Sequence, residues 1–158
     1  MDNLKYLEHV VELGKVQAAT TPEEMSGAFD AFNGFLGLYY DLAKMELQKA
    51  GIDTPPIRNF AIDKALERIN ARLDCADFTI PALIRMLREH RGTRLNEEQA
   101  QKIEQSLIHF KYWLDEPGDV HACFFTENHQ ILYHSAEYLV GQMYPLSLIH
   151  ISEPTRRS

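Results

Sequence analysis

The sequence predicts an all-α fold of helical hairpins, and three observations carry the expectation. Apolar residues recur at three- and four-residue spacing through most of the chain, the period of a helix with one buried face. Helix-start and helix-stop residues bracket these runs, most clearly Thr21-Pro22-Glu23-Glu24 and Ala50-Gly51. Period-two alternation, the mark of a half-buried strand, is hinted at only in residues 120–125. Six helical patterns separated by short polar breaks fill residues 1–145, which are expected to form one all-α domain. No fixed repeat period points to a standard helical array.

Taken in order, Asp2 or Asn3 caps a first helix whose Leu4, Leu7, Val10, Val11 and Leu13 share one side. Thr21 is the N-cap of the second, with Pro22 at the first helical position and Glu24 closing the capping box. That helix is rich in aromatics, and the stripe from Phe29 to Tyr40 reads as core. Gly27, Gly34 and Gly37 interrupt it at about 1 kcal/mol each relative to alanine, which implies close packing or a bend. Gly51 suits the left-handed position after its last turn, and Pro55-Pro56 keeps the connector extended.

A third helix is expected over residues 58–73, with Phe60, Ile62, Leu66 and Ile69 inward. Residues 74–79 read as a polar break in which Thr79 or Asp77 caps the next helix. Pro81 then sits in the first turn, Leu83, Ile84, Met86 and Leu87 face the core, and residues 90–93 end the helix. Asn96 caps a fifth helix, expected to run on through Phe110, Tyr112, Trp113 and Leu114 to a turn at residues 115–119. Thr126 caps the sixth, which places Glu127 at the positive end of the helix dipole, and Pro145 stops it.

The chain has 158 residues, 45% of them hydrophobic and 25% charged, with a formal net charge of -7. That composition fits one soluble globular unit and, with no cluster of lysine or arginine, argues against nucleic acid as a partner. Two cysteines, Cys75 and Cys123, imply no disulfide framework. Residues 1–5 lack a secretory signal and no apolar run reaches the ~20 residues of a membrane span, so a cytoplasmic location without membrane partners is expected. Residues 146–156 look like the in-frame translation of a sequencing adapter. Residues 146–158 are therefore set aside as a non-native tail, and the natural protein is expected to continue past Pro145.

The chemistry-bearing residues concentrate at the start of the sixth helix, where Glu127, Asn128 and His129 follow one another. A carboxamide with an imidazole can bind a carboxylate or a sugar hydroxyl, and the imidazole can move a proton near neutral pH. Tyr133, one turn on, adds a phenol on the same face. Equally, Glu127 can complete a cap while Asn128 and His129 satisfy backbone groups. Trp113, the single tryptophan, and Phe125 can stack on sugar faces or fill a core; Gln130 and His134 complete the candidate binding set. His134 with Glu137, and His121 with Cys123, are possible metal ligands, but no spacing matches a zinc pattern and neither metal nor cofactor is expected. His9, His90 and His109 read as surface or capping residues.

Residues 75–144 resemble a group of large microbial proteins. The likeness rests on Phe110-Lys111-Tyr112-Trp113 with Asp115-Glu116-Pro117-Gly118, on Phe125 to Ile131, and on Glu137-Tyr138-Leu139-Val140-Gly141-Gln142. Those proteins are in turn similar to the (α/α) toroids of polysaccharide lyases and some glycoside hydrolases. The resemblance implies the truncated opening part of a toroid, a carbohydrate substrate, and Asn128 and His129 as the catalytic positions, with Glu127 orienting them; Tyr133 joins the catalytic set by its spacing from His129 and not by the resemblance. Phe125 stands where the related motif often has tryptophan. Such a fragment is expected to be inactive alone, and in the whole protein His129→Ala is expected to abolish turnover with little change in melting temperature. The rival expectation is a helical scaffold that binds a protein or peptide without catalysis.

Overall fold

The computed structural model describes residues 3–18, 35–54, 56–57, 59–114, 116, 118–119 and 122–145. Among them the fold is all-α: α1 (Asn3–Ala18), α2 (Phe35–Lys49), α3 (Asn59–Asn70), α4 (Ile80–His90), α5 (Glu97–Ile108) and α6 (Glu127–Met143). A 3₁₀ turn (Ala76–Phe78) sits between α3 and α4. The described residues contain no strand; one isolated bridge joins Arg91 and Leu95. The start signal at Thr21-Pro22-Glu24, Gly27, Gly34 and the tail after Pro145 lie outside the described residues.

Helices of 11 to 17 residues are marginal by themselves in water, so packing must hold them. The 3₁₀ turn is the hub, resting against α3, α4 and α6, while α4 also touches α2, α5 and α6. Leu38 and Met45 from α2, Ile62 and Ile69 from α3, Leu83 and Met86 from α4, Ile103 and Leu107 from α5 and Val140 from α6 meet in one core. Each such side chain contributes about 1.5–3 kcal/mol by leaving water. A second, smaller cluster seats Leu7 and Val10 of α1 on Ala43 and Leu47 of α2.

The end signals act as their chemistry requires. Gly51 has φ +80°, and Ile52 N–H donates to the Leu47 carbonyl while Gly51 N–H donates to Gln48, a Schellman closure of α2. Asn96 Oδ1 accepts the Gln99 amide at 2.9 Å, and Pro81 occupies the first turn of α4. Thr79 stands at the N-cap position of α4 but caps nothing; its buried hydroxyl donates backwards to the Ala76 carbonyl at 2.7 Å.

Three expectations are corrected. Residues 74–79 are no exposed break, since Ala76, Asp77 and Thr79 are buried. His90 is fully buried, its Nε2 2.8 Å from Glu46 Oε1 on α2, because the last turn of α4 packs on α2 and a buried imidazole needs a partner. The helix of residues 97–108 also stops short of the aromatic run. His109 is its C-cap, and Phe110, Lys111 and Tyr112 continue without helical structure. Glu116 Oε1 accepts the Tyr112 and Trp113 amides, both at 2.8 Å, and Lys111 Nζ donates to the Gly118 carbonyl at 2.7 Å. These groups replace the hydrogen bonds that a longer helix would have made.

Tyr112 is fully buried and its hydroxyl donates to the Leu107 carbonyl at 2.8 Å. Burial, aided by Glu116 and Glu137, pushes its phenol far above the ordinary range. The folded state therefore holds this proton more tightly than the unfolded chain. Its contribution is fully present below about pH 10 and falls away as pH rises beyond it. Tyr112→Phe is expected to lose about 1 kcal/mol at neutral pH yet to lose stability less steeply with pH above 10. Denaturant unfolding followed between pH 8 and 11.5, with phenolate absorbance read alongside, checks both expectations.

Candidate functional site

The site is built where the start of α6 meets the turn between α3 and α4. The third helix closes with Leu73 N–H on the Arg68 carbonyl and Arg72 N–H on the Ile69 carbonyl, which throws Arg72 into the left-handed region at φ +52°. Cys75 follows at φ +63°. Two non-glycine residues in that region within four positions are uncommon, at about 1–2 kcal/mol each. The tight reversal carries the chain from Asp74, which is exposed, to Asp77, which is 1% exposed.

Asp77 then meets His129. Asp77 Oδ2 and His129 Nδ1 are 2.7 Å apart, and the imidazole is 7% exposed. The ring packs edge-on against Phe78 at 5.3 Å, with Tyr133 at 6.4 Å. Burial pushes the Asp77 carboxyl above the usual carboxylate range, an effect that the hydrogen bond to His129 partly offsets. Asp77 Oδ1 and the Tyr133 hydroxyl have no hydrogen-bond partner among the described residues. Asp74 Oδ1 accepts the Cys123 amide at 2.9 Å, tying the approach to α6 onto the same turn.

The eight residues singled out in the sequence are divided by the fold. Glu127 and Asn128 are exposed, and Thr126 stands at the N-cap without a side-chain cap bond. His129 turns inward to Asp77 and Tyr133 is fully buried, stacked on Phe124 at 4.6 Å and Phe110 at 6.0 Å. Phe125 is 86% exposed, and Gln130 Nε2 holds the Phe124 carbonyl at 3.1 Å. Trp113 is half-buried, edge-on to Phe124 at 5.6 Å, with the exposed His134 ring at 4.3 Å. His134 Nδ1 lies 3.5 Å from Glu137 Oε2, at the limit of a hydrogen bond. The fold thus groups Phe124, Trp113, Tyr133 and His134 as an aromatic wall and separates the exposed Glu127 and Asn128 from the inward His129.

Asp74, Cys75 and Asp77 were missed as site residues. The contacts that carry them to the start of α6 are long in sequence, 52 residues from Asp77 to His129 and 49 from Asp74 to Cys123. The one available signal was the density of acids and thiol in Asp74-Cys75-Ala76-Asp77. No helix among the described residues is long and apolar enough to cross a membrane. Compared with known protein families, with curated proteins and with solved structures, the chain has no significant match.

The geometry changes what is expected of His129. An imidazole that is nearly buried and paired with a buried carboxylate holds the fold as well as a site. His129→Ala is expected to cost about 3 kcal/mol, because Asp77 is left without its partner. Glu127→Ala and Asn128→Ala, both at exposed positions, are expected to stay within about 0.5 kcal/mol of the parent. Urea unfolding of the three variants reads this contrast.

Proposed function

We propose that the chain is the opening section of a carbohydrate-active enzyme of (α/α) toroid type, lyase or hydrolase, with its substrate-facing groups at the start of α6. One observation supports this reading above the rest: the imidazole of His129, next in sequence to the exposed Glu127 and Asn128, is held at 2.7 Å by a buried carboxylate. A base fixed in orientation by a second group is the arrangement that proton transfer needs. Exposed carboxamide and carboxylate beside it suit hydroxyl-rich ligands. The exposed ring of Phe125 offers an apolar face next to them. The carbohydrate class comes from the resemblance of residues 75–144, and turnover belongs to the longer protein.

A second reading has its own observation. An apolar groove of about 330 Å³ runs between α1, α2 and α4, with Tyr6, Leu7, Val10, Tyr39 and Pro81 among its lining residues. A groove of that kind suits a helical scaffold holding a peptide.

Trp113 is the only tryptophan and packs against Phe124, the neighbour of Phe125, so its fluorescence reports on the start of α6. Titration with neutral and uronate-containing oligosaccharides is expected to shift that emission. Asn128→Ala is expected to weaken binding at least about fivefold at an unchanged melting temperature. An emission spectrum that ignores both sugar classes would sink the reading.

A further inference from the structure

The acid- and thiol-rich turn before α4 brings together a ligand set that belongs to no local sequence pattern. One ligand atom each from Asp74, Cys75 and His129 lies within 4.8 Å of the others. We propose that Asp74, Cys75 and His129 bind a divalent transition-metal ion of the zinc class, with Asp77 as the positioning residue that holds the imidazole. This inference does not rest on the carbohydrate reading.

Ligand chemistry and distances agree with such an ion. Carboxylate, thiolate and imidazole are all zinc donors, and three protein ligands leave a fourth position for water. Bonds of about 2.0–2.3 Å around a tetrahedral ion separate the donors by about 3.5 Å. The set therefore needs to close by at most about 1.3 Å. Asp74 is exposed and Cys75 half-buried, so both side chains have room to move, while the imidazole is already anchored. A carboxylate on one ring nitrogen fixes the orientation of a metal-binding histidine and raises its basicity. Asp77 supplies that bond at 2.7 Å.

A second observation points to something bound at this place. Asp77 Oδ1 and the Tyr133 hydroxyl, on residues 1% and 0% exposed, are left without partners among the described residues. A stranded buried polar atom costs about 1–3 kcal/mol, and one on each of two residues packed against His129 calls for a group that satisfies it. The Tyr133 ring lies 6.4 Å from that of His129, one of the three ligands. Asp74 Oδ1 takes the Cys123 amide, Arg68 holds the Asp74 carbonyl, and the Cys75 thiol donates to the Asp74 carboxylate, a hydrogen bond that an ion displacing the thiol proton would replace.

The test uses the 158-residue chain, stripped by chelator and titrated with Co²⁺, whose absorption reports its ligands. One ion per chain is expected, with a thiolate-to-cobalt charge-transfer band that Zn²⁺ abolishes on displacement. Cys75→Ser is expected to remove the band and weaken binding at least about tenfold, and Cys123→Ser to leave both unchanged. Asp77→Asn is expected to keep the band but weaken binding about 10- to 100-fold, as loss of a group behind a metal-binding histidine does. Circular dichroism runs alongside; Cys75, half-buried, carries the test if the buried His129 and Asp77 variants do not fold. No charge-transfer band in the folded parent chain, or an undiminished band in Cys75→Ser, overturns the site. No sugar enters this measurement, so its failure is distinct from failure of the carbohydrate proposal.

Discussion

The contact between Asp77 and His129 is the constraint on which the second half of the molecule depends. Neither group tolerates burial alone, and each satisfies the other at 2.7 Å across 52 residues of chain. Hydrophobic burial holds the helices together but has little directional content. A short hydrogen bond between two buried groups does have it, and fixes the rotation of α6 about its axis. With His129 turned inward, Tyr133 and Ala136 follow onto the buried side and Glu127, Asn128 and Ile131 are left outside.

That rotation in turn sets the course of residues 110–114 and 122–126. Tyr133 presents its ring to Phe124 and Phe110, so the segment crosses α6 as an aromatic layer in place of a continued helix. Its backbone groups then need partners from outside regular structure. Glu116 takes two amides, Lys111 reaches the Gly118 carbonyl, and Asp74 takes the Cys123 amide. Gly118, at φ +102°, lets the backbone pass beside the Arg72 guanidinium, which would meet an added Cβ at 2.1 Å and which donates to the Asp119 carbonyl. One buried pair and a few side chains on backbone groups thus hold a segment whose first part, residues 110–114, hydrophobic periodicity alone assigned to a helix.

How much of this the sequence could reveal depends on the range of the interaction. The Asn96 cap, Gly51 closure and Pro81 start were legible because capping chemistry acts over three or four residues. The inward faces of α3 and α4 were legible for the same reason, since helical period is a local property. His90 and Asp77 were not. Each looks like a helix-end polar residue, and only the approach of α2 or α6 converts it into a buried group with a single partner. Phe110 to Leu114 misled through spacing, because an aromatic run has no period of its own and fits a helix or a layer equally well. Glu127, Asn128 and His129 were legible as neighbours at a helix start but not as residues of opposite exposure, which depends on the rotation of α6.

The turn at residues 72–77 is where the fold gives up stability, and the pattern of that loss has a direction. Left-handed Arg72 and Cys75 cost about 1–2 kcal/mol each. A raised Asp77 carboxyl and the stranded Tyr133 hydroxyl add electrostatic cost in the same few ångströms. Buried Lys44, by contrast, reaches both Asp41 at 2.6 Å and the Pro56 carbonyl, while His90 Nδ1 and Arg94 Nε are also buried without a partner among the described residues. Were the turn merely a connector, an exposed glycine-containing loop would join α3 to α4 without strain, as Gly51 does after α2. A strained reversal instead drives two carboxylates and a thiol towards one imidazole. Left-handed backbone at two non-glycine residues, beside buried polar atoms without partners, is the local cost on which the proposed metal site rests.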